Sequence, residues 1–396
     1  MKLAHLADLH LGFRQFDRQT ARGGNQREAD VAEAFRRAVD DLLAQRPDLI
    51  VVAGDVFHSV RPTNPAILFL FQQLQRLRVG LPESPIVLLA GTHDTPRSLE
   101  TGTILKLYEA LGVEVVVDAP RRLVFPKLDC GVLAVPHQAL AAGERPALRP
   151  ESGTTLNVLV AHCDVDRVVS RQDQTPLAFG GAQVTKQELA PAQWDYIALG
   201  HYHLAHQVAA NAWYSGSLEY VTTTPWLELR YEQEEKRRGK GKGKGYLLVE
   251  LPAARVTFRP IAAVRQLVDL PAVQGEGLTA AELDALIAER VAKAKPPIDD
   301  QIVRLVVWDI SRATQRDLDH AAIRSYKARA LSFLLDVRRP AEQRVEASGA
   351  PGRRLTLPET VRQFLKRRPL DADLERDEFV RLGAHYVEQA DGEAPG

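Results

Sequence analysis

Asp8 and His10 in ADLHLG, Asp55 and His58 in GDVFH, Thr92, His93 and Asp94 in GTHD, His162 in VAHC, and His201 and His203 in GHYH each follow an apolar run of strand type. A buried carboxylate or imidazole costs several kcal/mol unless it is paired or coordinated. One such residue is readily explained as a cap or a satisfied core group. Five strand ends that select Asp and His and avoid Ser and Asn point instead to a metal site. The donors mix carboxylate and imidazole without an obvious thiolate, which suits Mn, Fe or Zn in a reactive centre better than a structural zinc. The set is too long for one tetrahedral ion. Two ions about 3.5–4 Å apart, bridged by one carboxylate, would use all of it. Such a pair activates a water and stabilises the attacking and leaving oxygens of an in-line displacement, the chemistry of phosphate-ester hydrolysis.

The donors need elements that bring them to one place. Apolar runs at 2–7, 48–53, 85–90, 113–117, 131–135, 156–161 and 194–199 read as strands. Amphipathic or apolar stretches at 30–45, 64–79 and 102–111 read as helices between them. Alternating strands and helices predict an α/β layered core, with strands covered on both faces. In open α/β sheets, ligands gather beyond the carboxyl ends of the strands, where these clusters fall. Strand alternation turns Cys163 away from His162, and so predicts a buried, inert thiol. His5 and His137 read as structural.

The chain has 396 residues, 45% hydrophobic and 26% charged, with a formal net charge of zero. These values fit a globular protein of two or three domains. No run of eighteen apolar residues occurs, and Asp8 and His10 interrupt what would be the core of an export signal. Two cysteines, Cys130 and Cys163, offer no disulfide framework, so a reducing cytoplasm is expected. Zero net charge neither supports nor excludes a nucleic-acid partner.

Other segments carry weaker signals. The loop 13–27 holds four arginines, among them Arg14, Arg18 and Arg22, beside the first cluster; it reads as a solvated loop or as a phosphate-binding edge. KRRGKGKGKG at 236–245 reads as a flexible basic loop, with Lys240, Lys242 and Lys244 as candidate phosphate contacts. The helix at 64–77 contains Ile67, Leu68, Phe69, Leu70 and Phe71, apolar on every side, so it is wedged in the core or meets a second subunit. Runs at 246–251 and 255–260 close the first part as a hairpin. The pattern then restarts, with strands at 266–270, 301–308 and 331–337 and helices at 279–293 and 315–327. A linker follows at 338–354, then two short helices near 358–367 and 374–389.

The order DxH, GDxxH, G-x-HD, H and GHxH resembles the calcineurin-like metallophosphoesterase superfamily. ADLHLG, GDVFH, GHYH followed by YSGSLE, and KGYLLVEL resemble the SbcD-type DNA repair nucleases within it. The resemblance covers residues 1–251 and extends more weakly beyond. It implies a layered β-sandwich flanked by helices for the nuclease domain, 1–262. It also implies a small α+β DNA-contacting cap, 263–340, then a linker, 341–355, and a helical tail, 356–396, that docks on an SbcC-type coiled-coil ATPase. One metal, most simply Mn, would take Asp8, His10, Asp55 and His203. The other would take Asp55, Thr92, His162 and His201. His93 would protonate the leaving oxygen, His58 would place the nucleic acid, and Asp94 would orient His93 or cap a helix. The helix around 67–71 would form a homodimer. The implied function is a Mn-dependent double-strand exonuclease and single-strand endonuclease in the cytoplasm, at the nucleoid. The family has asparagine where this chain has Thr92, and a hydroxyl is a weaker metal donor than an amide oxygen. That departure predicts a weak second metal. It also opens the alternative of a DNA-end-binding scaffold with a silent centre. A small-molecule phosphodiesterase sharing the metal core is the third reading.

Overall fold

The computed structural model describes residues 1–96, 102–151, 153–166, 181–239, 242–339, 357–367 and 375–392. The predicted linker and Lys240 lie outside them. Residues 1–339 form one compact unit and 340–396 a second.

Side-chain parity along the strands sets the layers of the first unit. In β1 (Lys2–Leu6) and β2 (Leu49–Ala53), Leu3, Leu49, Val51 and Ala53 face one way, while Ala4, Leu6, Ile50 and Val52 face the other. These strands pair in parallel, followed by β3 (Ile86–Leu89) and β4 (Glu114–Val116). A second sheet holds β5 (Arg121–Phe125), β6 (Cys130–Val135), β7 (Leu156–His162), β10 (Tyr196–Gly200), β11 (His206–Ala209) and β12 (Ala212–Tyr214) in the order β11-β12-β10-β7-β6-β5. The two-residue strands β8 (Asp164–Val165) and β9 (Gln183–Val184) pair beside it. The hairpin β13 (Gly245–Glu250) and β14 (Arg255–Pro260) returns to the first sheet, antiparallel to β1, giving the order β14-β13-β1-β2-β3-β4.

The inward faces of the two sheets meet through Leu3, Val51, Val87, Val132, Val158, Ala198 and Leu247. Outside the first sheet pack α1 (Gln26–Gln45), with Val31, Phe35, Val39 and Leu42, and α2 (Asn64–Gly80), with Leu70 and Leu74. Outside the second lie α3 (His137–Ala141) and α4 (Lys186–Leu189), against Leu159, Ala161 and Leu199. The result is the layered sandwich flanked by helices that the sequence predicts. His5 crosses between the sheets. One ring nitrogen lies 2.9 Å from Tyr196 Oη and the other 3.2 Å from the Leu199 carbonyl, both on β10.

The helix expected at 102–111 is a 3₁₀ helix over Ile104–Leu111. The α2 helix is not apolar on every side in effect: Ala66, Leu70, Gln73, Leu74 and Leu77 form one buried stripe. Leu70 is fully buried and unavailable to a second subunit, whereas Leu68 is 61% exposed.

A polar helix, α5 (Pro225–Arg237), occupies a stretch the sequence pattern does not mark, because its sequence PWLELRYEQEEKR has no apolar stripe. Beyond it stands the small sheet β15 (Leu267–Gln274), β16 (Ile302–Trp308) and β17 (Ser332–Val337), all parallel. Its helices are α6 (Ala280–Ala292), α7 (Arg312–Arg316) and α8 (His320–Arg329). The helix expected at 315–327 is broken in two, because Ser311 and Asp319 each cap a separate start. Side chains join this part to the rest at several points. Arg304 lies 4.9 Å over the Trp226 ring of α5, Arg18 donates to the carbonyls of Ala328 and Ala330, and Arg265 pairs with Asp30 of α1. In the second unit, α9 (Leu357–Arg367) and α10 (Arg376–Gly392) are the two predicted helices, and Gly383 lets α10 approach Leu365 of α9 closely.

Candidate metal centre

Parity and strand order deliver the donors. His162 continues the inward face of β7 while Cys163 turns outward into the apolar layer behind it, where burial pushes its thiol up to about 12. Asp8 and His10 follow β1, Asp55 follows β2, and His201 and His203 follow β10. Four of these take left-handed backbone: Asp8 at φ 53°, His10 at 45°, Asp55 at 50° and His201 at 105°. Each such residue costs about 1–3 kcal/mol and persists only where its surroundings enforce it. The enforcing contacts are present. The amides of Asp8, His10 and Leu11 donate to the carbonyls of Gly54, Asp55 and Val56, and the His201 amide donates to the Asp8 carboxylate at 3.0 Å. Glycine is required at 200, where a Cβ would overlap the Ala53 carbonyl, and at 91, where it would overlap the Asp55 carboxylate.

Two buried groups of three donors result, Asp8–His10–His203 and Asp55–His162–His201; within each group the ligand atoms lie within 4.8 Å of one another. Asp55 adjoins both. Its Oδ2 is 3.7 Å from His10 Nε2 and 3.5 Å from His162 Nε2. His162 Nδ1 donates to the Ala53 carbonyl at 2.9 Å, which leaves Nε2 buried with no hydrogen-bond partner. His10 Nε2 and His203 Nε2 stand 3.1 Å apart. Orphaned imidazole nitrogens converging on buried carboxylates fit divalent cations, and the oxygen and nitrogen donors fit Mn, Fe or Zn.

The electrostatics agree. Burial raises the Asp8 carboxyl to about 8. Burial also opposes charge on Asp55 and His162. Their mutual attraction overcomes it, holding Asp55 well below the usual carboxylate range and lifting His162 to about 9. Burial keeps His10 and His203 well below the ordinary histidine value and takes His201 down to about 3. These three imidazoles are therefore neutral and able to ligate.

His93 and His58 form the rim. Their rings stack with centroids 5.1 Å apart, and with His10 they make a third cluster. His93 Nδ1 lies 2.8 Å from the His58 carbonyl, so Nδ1 carries the proton and Nε2 is left for other chemistry. Asp94 does not orient His93. Its carboxylate accepts from the amides of Val56, Phe57 and Gly91, stapling the loop after β2 to the loop after β3, and this corrects the expected catalytic role. Thr92 Oγ1 reaches Asp55, at 3.0 Å from Oδ2 and 3.2 Å from Oδ1.

The candidate DNA contacts separate. Arg22 and Lys242 are exposed, and Arg14 pairs with Glu28 at 2.7 Å while half exposed. Arg18 is engaged by the small sheet's loops, as described above. Lys244 is 6% exposed and ion-paired with Glu228, so it cannot meet a phosphate backbone; that expectation is corrected.

The family model for calcineurin-like phosphoesterases matches residues 1–205, just over half of the chain and the part that contains every candidate donor. The chain belongs to the calcineurin-like phosphoesterase family. This phosphoesterase is also similar to three proteins named DNA double-strand break repair protein Mre11. The one from Methanococcus maripaludis is 35% identical over 26% of this chain and 25% of its own length. The one from Saccharolobus solfataricus is 24% identical over 66% and 65%. The one from Methanopyrus kandleri is 25% identical over 93% and 77%. The phosphoesterase thus spans a quarter and just under two thirds of the first two relatives. Among the described residues, no helix is long and apolar enough to cross a membrane.

Proposed function

We propose that the chain is a divalent-metal-dependent DNA phosphodiesterase of break repair, cutting double strands from their ends and single strands internally. The observation that carries this is the pair of buried three-donor groups joined at Asp55 beneath His93. The break-repair relatives supply the substrate class. Asp8, His10, Asp55 and His203 would hold one ion, and Asp55, Thr92, His162 and His201 the other, with Mn favoured and Fe or Zn able to use the same donors. When bound, such ions supply Lewis-acid stabilisation of phosphoryl charge and a nucleophile at neutral pH.

The residues themselves do the remaining work. His93, its Nδ1–H fixed on the His58 carbonyl, would in its imidazolium form pass the Nε2 proton to the departing sugar oxygen and be left as the neutral Nδ1–H ring. His10, turning Nε2 to the centre, gives its Nδ1 proton to His58 Nδ1, 3.2 Å away, and this sets both tautomers. His58 and the exposed Arg14, Arg22 and Lys242 would guide the strand. Residues 1–262 form the nuclease domain, 263–340 the cap and 356–396 the tail. The exposed Phe364, Leu382 and Tyr386 suit the tail to docking on an SbcC-type ATPase. The exposed Leu68 and the half-buried Phe71 on α2 suit a homodimer. The site of action would be the cytoplasmic nucleoid.

Labelled duplex DNA incubated with manganese tests the reading. His93→Ala should slow cleavage by about 10²–10⁴-fold with metal uptake unchanged. Equal cleavage by parent and variant would remove the mechanism. The Thr92 contact with Asp55 favours a second reading, a DNA-end-binding scaffold with a weakened centre. In that case the parent binds DNA ends without cutting them, and Thr92→Asn creates cleavage.

A further inference from the structure

Lys244 sits in the basic run KGKGKG, yet its side chain is enclosed. Its ammonium pairs with Glu228 of α5, donates to Ser217 Oγ at 2.9 Å and lies 4.6 Å from the Tyr220 ring centroid. Its remaining hydrogen bond goes to the carbonyl of His203, at 3.0 Å. That carbonyl also accepts from the Ser217 amide at 3.1 Å. Among the described residues, no group holds the His203 ring through Nδ1, which is buried and unbonded. Two of the other inward histidines differ: His162 is steered by the Ala53 carbonyl and His10 by His58. Apart from the approach of its Nε2 to His10, His203 is held from its main chain, where Ser217 Oγ also donates to its carbonyl at 3.3 Å.

We propose that Lys244 is a positioning residue for the metal centre, fixing the His203 backbone so that its imidazole meets Asp8 and His10. The proposal rests on the reading of His203 as a metal ligand. Glu228 keeps the ammonium in place, and Thr222 Oγ1 in turn donates to Glu228 at 3.3 Å. A buried charge pair is a costly way to stabilise a fold, and an apolar pair of the same volume often serves as well. Its use here makes sense if a strong, directed donor is needed at one carbonyl.

The test is manganese titration of the full chain by calorimetry, with thermal melting of each protein. Lys244→Met combined with Glu228→Gln removes the donor without leaving a buried charge unpaired. The expected result is a cooperative melt, as in the parent, with the tighter manganese step weakened about 10–100-fold, the usual effect of losing an outer partner of a ligand. Arg121→Met with Glu114→Gln breaks an ion pair at the far edge of the first sheet from β13 and should bind as the parent does. A folded Lys244/Glu228 variant within twofold of the parent overturns the proposal. Equal weakening in the remote variant also overturns it, since the effect would then be general loosening. A parent that takes up no manganese overturns the metal reading and the proposal together, whereas a binding parent confines any failure to Lys244.

Discussion

Thr92 Oγ1 donates into the carboxylate that both donor groups adjoin. A lone pair given to a hydroxyl is withdrawn from a cation, and the hydroxyl itself is a poorer ligand than an amide oxygen. Thr92→Asn should therefore tighten the weaker of two manganese steps, on the order of tenfold, without changing the stronger one. Calorimetric stoichiometry checks this, and an unchanged second step would show that residue 92 does not bear on the ions. Asp8, His10, Asp55, His162, His201 and His203 are legible as a set, because burial cost makes Asp and His conspicuous at the ends of apolar runs. Lys244 and Asp94 are not legible. Their distant partners, Glu228 for one and the amides of Val56 and Phe57 for the other, are chosen by folding across sequence separations that no local pattern records.

At the scale of elements, β1 and β10 belong to different sheets and are joined by His5 through Tyr196 and Leu199. Burial lowers His5 to about 3, against an ordinary 6.5, and Tyr196 beside it stays neutral because burial raises its phenol well above 10. Neutral His5 contributes full stability above pH 6.5. As pH falls from 6.5 toward 3, the unfolded chain binds the proton first and that stability drains away. His5→Gln, whose amide can still bridge the two partners, should shift the acid-unfolding midpoint to lower pH. Circular dichroism between pH 7 and 3 measures it, and an unmoved midpoint would assign acid sensitivity elsewhere. Strands β1, β2, β3, β4, β6, β7, β10, β13 and β14 are readable because parity and β-branched runs are local properties, whereas the sequence pattern does not mark β5, β11 and β12. The α5 helix escapes because its inward face is made of Glu228 and Glu232, residues that read as solvated until Lys244 and Tyr220 are seen beside them. The small sheet's second helix was misjudged for the opposite reason: Ser311 and Asp319 are visible caps, but the polar stretch between them hides the break.

At the scale of the molecule, residues 1–339 hold every candidate donor, every strand among the described residues and both sheets' outer helices, and they cluster as one unit. A chain ended after Arg339 should melt cooperatively and take up manganese with the affinity of the full chain. Weakened uptake would show that the last 57 residues, 340–396, support the centre. Inside the first unit, Trp226 and Glu228 lie two positions apart on α5 and so point to opposite sides, one under Arg304 of β16 and the other against Lys244. A single turn of helix thus has one hand on the small parallel sheet and the other on the support of a histidine. With Lys244 aiming His203 as proposed, a displacement of that sheet would reach the imidazole through the same turn of helix.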